Sequence, residues 1–332
     1  MRPAAALLLL APLIVAAQNV EVNPGALKLF RPLPAAVSSD ANPITEAKAG
    51  LGRKLYHETR LSRNRDISCN TCHPLDRYGV DGAPVSTGDR GRKGTRNAPT
   101  VYNAAGHFAQ FWDGRAPDVE EQAKGPVLNP VEMAMGSGAQ VEAVLKSIPE
   151  YADLFKRAFP GEQDPVTFSN LARAIGAFER RLITPSRWDR FLKGDPGALT
   201  DAEKAGFNKF VESGCAACHN GAYVGGNAFQ KIGMVRPWPN AADLGREQVT
   251  KKDSDRFLFK VPSLRNVART APYFHDGSVA TLDEAIRKMG TYQLGKNLTD
   301  ADIGSIAAWL ETLTGAIPGT GSKNLLPFRP GW

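Results

Sequence analysis

Apolar residues recur along four stretches of the chain at a spacing that places them on one face of a helix. These stretches are 140–158, 165–182, 200–213 and 299–313. The last two open on Thr200 and Thr299, each followed by acidic residues, which is typical of a capped helix start. Connectors rich in glycine and proline separate them, and the connector 194–199 predicts a turn near a domain junction. The pattern predicts a mainly α-helical protein with long loops.

The first residues of the chain carry a different pattern. Arg2 precedes an apolar run from Ala4 to Ala17, which ends in the small residues typical of a cleavage site. We therefore expect a signal peptide over residues 1–17 and a mature protein exported to the periplasm. An uncleaved membrane anchor is the alternative, but the run is shorter than the roughly 20 apolar residues that a span needs. No stable membrane span is expected elsewhere in the chain.

Segments of the first half recur 163 residues later in the second half. Residues 99–103 match 262–266, and Phe111-Trp-Asp-Gly-Arg115 matches Phe274-His-Asp-Gly-Ser278. Self-similarity of this kind indicates internal duplication of one structural unit. We predict two domains, at residues 18–185 and 186–332, with the polar stretch 236–255 inserted in the second.

All four cysteines of the chain lie in two copies of one short motif. The copies are Cys69-Asn70-Thr71-Cys72-His73 and Cys215-Ala216-Ala217-Cys218-His219. Two thiols three residues apart can each form a thioether with a haem vinyl group, and the following histidine can ligate the iron. A zinc site or a thioredoxin-like redox pair is the alternative, but neither requires that histidine. We expect two covalently bound c-type haems, one in each domain.

The charge of the chain agrees better with haem binding than with nucleic-acid binding. The formal net charge is +7, from 41 basic and 34 acidic residues. Loss of Arg2 with the signal peptide and ionisation of four haem propionates would leave about +2. The aromatic residues are scattered and form no base-stacking pattern. Nucleic acid is therefore not an expected partner, although the basic surface can steer a small partner protein.

The sixth ligand of each iron decides whether a haem carries electrons or meets a substrate, and the candidate side chains are few. Besides the motif histidines they are His57, His107, His275, Met133, Met135, Met234 and Met289. We favour Met289 opposite His219, because Met289 ends a helical stretch where the chain can return over the haem. Methionine ligation also raises the reduction potential. The alternative is that Met289 packs in the core, as methionines often do.

The corresponding region of the first half, near residues 126–132, offers no sulfur ligand before Met133 and contains Glu132 in an apolar context. A carboxylate held over an open ferric haem can take a proton from hydrogen peroxide and return it to the leaving oxygen. The alternative is an exposed glutamate without a catalytic role. The two haem sites are therefore expected to be unequal.

Over nearly the whole mature length, the chain resembles the bacterial di-haem cytochrome c peroxidases. The matching stretches are 51–55, 67–73, 93–100, 110–115, 121–126, 131–133, 182–185, 270–275 and 289–290. The resemblance implies two cytochrome c-like haem domains, a peroxidatic haem on His73, and a high-potential haem on His219 and Met289 that accepts electrons. It also implies that Glu132 and Gln122 form the distal acid–base pair.

Further positions follow from the same resemblance. Trp112 matches a tryptophan between the two haems. Asn97, Thr270 and Pro272 match residues around a calcium ion at the domain interface, where backbone and amide oxygens suit calcium. The resemblance also implies a homodimer.

One loop departs from the family pattern. Many members carry there a histidine that caps the peroxidatic haem in the oxidised enzyme, which must be half-reduced before it reacts. The matching loop here is 86–94, with Asp89 where that histidine would fall. Its glycines predict a mobile loop. We favour a peroxidatic site that is already open in the oxidised enzyme, and the alternative is that another histidine, such as His107, caps the iron.

Together these features predict a periplasmic peroxidase that reduces hydrogen peroxide with electrons from a small cytochrome c or cupredoxin. One alternative is a related di-haem maturation enzyme that oxidises tryptophan residues of a partner protein. Those enzymes also lack the capping histidine but have a tyrosine where this chain has Met289. A plain di-haem electron carrier is the second alternative, which Glu132 and the missing sixth ligand at the first haem disfavour.

Overall fold

The computed structural model describes residues 20–318 and is mainly α-helical, as the sequence predicts. Its α-helices are α1 (Pro24–Leu27), α2 (Glu46–Tyr56), α3 (Cys69–Cys72), α4 (Val119–Leu128), α5 (Gly138–Lys146), α6 (Pro149–Ala158), α7 (Phe168–Glu179), α8 (Arg187–Leu192), α9 (Asp201–Ser213), α10 (Glu247–Thr250), α11 (Leu282–Lys288) and α12 (Asp300–Glu311). A short antiparallel ribbon pairs β1 (Phe229–Lys231) with β2 (Leu258–Lys260). In this part of the chain no helix is long and apolar enough to cross a membrane. The signal peptide predicted over residues 1–17 lies outside the described residues.

Three of the four predicted helical stretches correspond to single helices, α7, α9 and α12. Thr200 caps α9 and Thr299 caps α12, each through a capping box. The prediction of one helix over 140–158 is wrong, because the stretch is divided into α5 and α6. The second of these begins at Pro149, which has no N–H to continue the ladder of the first and suits the opening turn of a helix.

Two helix pairs form the frame of the molecule, α2 against α7 and α9 against α12. A Cβ at Gly52 of α2 would lie 1.9 Å from the carbonyl oxygen of Ala174. A Cβ at Gly206 of α9 would lie 2.1 Å from the carbonyl oxygen of Ser305. Only glycine allows backbones to approach so closely. Each crossing borders a separate hydrophobic core, so each half of the chain has its own packed centre.

The two halves also share a buried hydrogen-bond arrangement. Asn103 and Asn266 both adopt left-handed backbone conformations, with φ of 63° and 62°. Their Nδ2 groups both donate to Thr184 Oγ1, at 2.8 and 2.9 Å. Each asparagine N–H also donates to a leucine carbonyl that follows the closing helix, Leu182 in one half and Leu313 in the other. The equivalent loops therefore meet at one threonine between the halves.

The first described segment packs on the second core. A parallel bridge joins Phe30 to Gly221, and the Phe30 ring is buried among three aromatic rings of the second half. These belong to Trp188, Phe207 and Trp309, at centroid distances of 5.7, 5.4 and 6.2 Å. The segment around Phe30 thus packs against α12 of the second half, although the helices of the first core follow it in the chain.

Candidate functional site

The first cysteine motif forms α3, a single turn that begins with a capping box. The turn brings Cys69 and Cys72 to one side, because residues three apart are neighbours on a helix. His73 follows directly, and its Nδ1 lies 3.2 Å from the carbonyl oxygen of Gly79. Tyr56 Oη fixes the same residue by donating to its carbonyl oxygen at 2.7 Å. An imidazole that donates from Nδ1 to a carbonyl presents Nε2 as the iron ligand.

The second motif starts where α9 ends on the left-handed Gly214. Residues 215–217 form a 3₁₀ turn, and His219 follows with its Nδ1 buried. Arg265, which is 1% exposed, holds the loop after this histidine. Its Nε and Nη2 donate to the carbonyl oxygen of Ala222 at 2.9 and 2.7 Å. A buried arginine therefore fixes the loop that follows the second motif.

The thiols and imidazoles of the two motifs suit covalent haem attachment. All four cysteines are free, and burial raises the pKa of Cys69 to about 12 and that of Cys215 to about 11. Burial lowers the pKa of His73, and it lowers the pKa of His219 to about 4. Both imidazoles are therefore neutral, which is the form that ligates iron. Each motif offers two unpaired thiols and one neutral imidazole, the donor set of a c-type haem.

Glu132 lies in a tight turn after α4. Its N–H donates to the carbonyl oxygen of Asn129 at 3.0 Å, and Asn129 Nδ2 donates to Glu132 Oε1 at 2.7 Å. Burial raises the pKa of Glu132, opposed by this hydrogen bond and by the charge of Arg115. The pKa values of Cys69 and Cys72 are raised mainly by burial, and the charge of Glu132 is among the smaller causes that raise them further. The carboxyl therefore lies within electrostatic reach of the first haem motif.

Two side chains near this carboxyl were not singled out from the sequence. The Arg115 guanidinium lies over the Phe111 ring, 3.4 Å from its centroid. A Cβ at Gly125 would lie 3.3 Å from the same ring, so Phe111 lies against α4, the helix that carries Gln122. Within the described chain no hydrogen bond joins Gln122 to the carboxyl. The internal repeat could have pointed to Arg115, because the equivalent residue of the second half is the uncharged Ser278.

The loop 86–94 is anchored, which corrects the expectation from its glycines that it is mobile. Asp89 is 1% exposed and pairs with Arg63 at 3.2 Å and with Arg92 at 2.8 Å. Its N–H donates to the carbonyl oxygen of Glu132 at 2.8 Å. Two guanidiniums thus compensate a buried carboxylate and attach the loop to the turn of the candidate acid. With its oxygens so occupied, Asp89 is not available as a capping ligand.

Met289 occupies the junction between α11 and a π-helical turn over Met289–Leu294. Such turns are frequent at functional sites. The other described methionines lie in the core or on the surface: Met133 at 3% exposed, Met135 at 5% and Met234 at 56%. Just beyond the π-helical turn, Lys296 Nζ donates to the carbonyl oxygen of Ser213 at 3.0 Å. The structure therefore places the segment of Met289 against the end of α9, where the second motif begins.

Trp112 lies where the two halves meet. Its Nε1 donates to the carbonyl oxygen of Asn97 at 2.9 Å, and its own carbonyl accepts from the N–H of Lys260 at 2.8 Å. Asn97 N–H donates to the carbonyl oxygen of His275 at 2.8 Å. This bond brings Asn97 to the loop 270–275, which contains the other two residues of the implied calcium site. Among residues 20–318, no group of three or more His, Cys, Asp or Glu side chains could hold a metal ion.

His107 lies against the second half of the molecule. Its ring packs edge-on against Tyr223, with centroids 5.6 Å apart, and its Nδ1 lies 3.3 Å from Lys260 Nζ. A Cβ at Gly226 would lie 2.4 Å from His107 Cδ2. These neighbours follow His219 in the chain, which argues against His107 as the cap of the first iron.

Comparison with known proteins finds similarity to cytochrome c peroxidases and to a MauG-like protein. A family model described as di-haem cytochrome c peroxidase matches residues 46–197. The chain is 48% identical over 309 residues to the cytochrome c551 peroxidase of Pseudomonas aeruginosa, covering 91% of this chain and 89% of that protein. It is 45% identical over 278 residues to the cytochrome c551 peroxidase of Nitrosomonas europaea, covering 83% and 82%. A solved MauG-like protein associated with microbial copper homeostasis is similar with a TM-score of 0.76 and 30% identity, covering 85% and 93%.

Proposed function

Because this chain belongs to the di-haem cytochrome c peroxidase family, we propose that it reduces hydrogen peroxide to water in the periplasm. Two electrons from a small cytochrome c or cupredoxin and two protons convert one peroxide into two water molecules. The observation that carries the proposal is the position of Glu132. It is a carboxyl with a raised pKa beside the first haem motif, in the half that offers no methionine at the equivalent position.

The first haem, when bound, supplies the iron that binds peroxide and donates electrons to it. Glu132 takes a proton from one peroxide oxygen and gives it to the other, which leaves as water. Because Asn129 Nδ2 holds Oε1, the second carboxyl oxygen remains for this proton. The raised pKa brings the carboxyl nearer to neutral pH, where a proton shuttle is most effective. Gln122 on α4 is proposed to orient the peroxide.

The decisive test is the Glu132→Gln variant, which keeps the size of the side chain and removes the proton acceptor. We expect turnover of peroxide to fall by about 10²–10⁴-fold, the usual contribution of a positioned acid–base group. Both haems should remain attached. Glu121→Gln is the matched control, because Glu121 lies exposed on α4 and pairs only with Lys124 at the surface. Unchanged turnover in Glu132→Gln would refute the assignment.

We also propose that the first site reacts in the oxidised protein without prior reduction. The support is Asp89, which stands at the position of the capping histidine and is bound by Arg63 and Arg92. The oxidised protein should show a high-spin ferric signal by electron paramagnetic resonance and should bind cyanide. Two low-spin, six-coordinate ferric haems without activity before reduction would contradict this.

We propose that His219 and Met289 would hold the iron of the second haem, which would supply the centre that receives the electrons. Trp112 supports transfer between the halves, because its indole bonds the first half and its carbonyl bonds the second. A maturation enzyme that oxidises a partner protein is the second candidate, favoured by the likeness to a MauG-like structure. The far-red absorption band of methionine-ligated ferric haem separates the two, since it is expected only for the peroxidase.

Three structural proposals accompany this function. Asn97, Thr270 and Pro272 hold a calcium ion, supported by the hydrogen bond that brings Asn97 to the loop 270–275. The protein forms a homodimer, supported by family resemblance. The two domains, divided near residue 185, arose by internal duplication, supported by the equivalent bonds of Asn103 and Asn266 to Thr184.

A further inference from the structure

A buried lysine lies between the two halves without an anion beside it. Lys260 ends β2 and is 7% exposed, and its backbone N–H donates to the carbonyl oxygen of Trp112. Among residues 20–318, no carboxylate lies within ion-pair distance of its Nζ. The nearest charge that acts on it, Asp113, is already paired with Arg96 and Arg115. A buried ammonium is strongly destabilising unless an anion compensates it.

Within residues 20–318, the hydrogen-bond partner of Lys260 Nζ is His107 Nδ1, at 3.3 Å. An ammonium has donors only, so Nδ1 accepts and the ring proton of His107 is on Nε2. The pKa of His107 lies well below its usual range because of burial and the charge of Lys260, which keeps the ring in this neutral form. Nε2 is itself buried and has no hydrogen-bond partner in the described chain. Nζ uses one of its three N–H groups for Nδ1, so the ammonium of Lys260 still needs an anion.

The position of Lys260 and His107 in the fold indicates which anion compensates the ammonium. His107 packs against Tyr223 and Gly226, which belong to the loop directly after His219. Lys260 lies two residues before Pro262. The carbonyl oxygen of Pro262 would lie 2.2 Å from a Cβ at Gly225, so the segment of Lys260 packs closely on the same loop. A haem bound to His219 brings two carboxylates into this part of the protein. A carboxylate that accepts from the remaining N–H groups of Lys260 Nζ compensates the charge of the ammonium, while His107 Nδ1 holds Nζ in place.

We propose that Lys260, positioned by His107, binds a propionate of the haem attached to Cys215 and Cys218. The pair fixes one edge of this haem. It also places a positive charge there, which favours the reduced state of the iron because a neutralised propionate opposes reduction less. The backbone bond from Lys260 to Trp112 links this charge to the contact between the halves.

The test compares holoproteins in which only the cation changes. Lys260→Met removes the charge, and Lys260→Arg retains it. Lys231→Met is the matched control, because Lys231 lies exposed on the paired strand β1. Spectroelectrochemical titration measures the midpoint potential of each haem. Redox-difference infrared spectra report the propionate carboxylate bands, and neither measurement requires peroxide turnover, so the outcome is independent of the proposed activity.

We expect Lys260→Met to lower the midpoint potential of the second haem and to shift a propionate band. Lys260→Arg should restore most of both signals, and Lys231→Met should change neither. If Lys260→Met fails to retain two haems, His107→Leu provides the second test, because loss of the Nδ1 acceptor should release the ammonium from its position and shift the same carboxylate band. Unchanged potentials and bands in a variant that retains both haems would overturn the proposal. A change confined to the first haem would overturn the assignment to the second.

Discussion

The halves of this protein have the same frame and differ in the segment that follows the repeated Asp-Gly turn. In both, a glycine allows two helices to cross closely, at Gly52 and at Gly206. After the turn, the first half continues through α4 into the tight turn of Glu132. The second half has the shorter α11, which passes into the π-helical turn at Met289. One frame thus carries the proposed proton shuttle in one half and a candidate iron ligand in the other.

Charge differs between the halves at equivalent positions as well. Arg115 of the first half corresponds to Ser278 of the second. Both N–H groups donate to the aspartate two residues earlier. The guanidinium of Arg115 in addition opposes the rise in the pKa of Glu132, whereas Ser278 carries no charge. The half with the proposed peroxidatic site therefore carries at this position a charge that the other half lacks.

The largest expected effect comes from replacing Met289, the candidate iron ligand that distinguishes the second half. Met289→His should lower the midpoint potential of that haem by on the order of 0.1 V, a fraction of the range of about 0.8 V that axial ligands span. The far-red band of the oxidised protein should disappear. Met234→His is the control, because Met234 is 56% exposed. An unchanged band in Met289→His would show that Met289 is not an axial ligand.

The shared frame can be tested with paired glycines. Gly52→Ala and Gly206→Ala should each lower the free energy of unfolding by about 1–3 kcal/mol, because the added methyl group meets backbone. Gly50→Ala and Gly304→Ala meet no heavy atom within 4 Å and should raise it by about 0.5–1 kcal/mol. Urea unfolding of the holoproteins measures all four. Equal effects of Gly50→Ala and Gly52→Ala would disprove the close crossing.

Restoring a histidine to the loop should make the first half resemble a capped site. Asp89→His loses the ion pairs to Arg63 and Arg92 and gains a potential iron ligand. If the capped form reaches about 90% of the population, activity before reduction falls about tenfold. Asp89→Asn loses the same charge without adding a ligand and should remain active in the oxidised form. Equal activity of the two variants would count against a role of this position in capping.

The smallest expected effect concerns the pH dependence of the first half. Glu132 must be deprotonated to accept a proton from peroxide, so kcat/KM should rise as the pH increases through its raised pKa. The Asn129 hydrogen bond lowers that pKa, so Asn129→Ala should move the acidic limb to higher pH. Asn240→Ala, in the second half, should leave the limb in place. A limb that does not move in Asn129→Ala would exclude Glu132 as its origin.

Local sequence patterns predicted those parts of the fold that local physics determines. The capped starts of α9 and α12 were predicted because capping uses neighbouring residues. The helix α2 was not, because Gly50 and Gly52 disfavour a helix in isolation. In the folded protein Gly52 is required by the contact with α7, which no local pattern shows. Pro126 inside α4 obscured that helix in the same way.

The candidate site shows the same distinction between features set by neighbouring residues and features set by distant ones. The haem motifs could be found because thioether chemistry requires contiguous residues, and Glu132 because it is acidic in an apolar segment. Asp89 and Arg63, 26 residues apart, form an anchor that the glycine-rich loop did not indicate. Lys260 and His107 are 153 residues apart and meet only when the two halves pack. Long-range pairs of this kind depend on tertiary structure and leave no periodic signal.

The burial of Phe30 among aromatic rings of the second half has a consequence for how the protein is assembled. Trp309 of α12 completes this cluster, so Phe30 and a residue 279 positions later are both needed before the second core can close. Contacts between such distant residues form slowly, because a long loop must close first. If the protein is exported as proposed, the N-terminal part arrives before α12. We expect the second cysteine motif to remain accessible to the attachment machinery until α12 arrives, so that haem attachment precedes closure of this core.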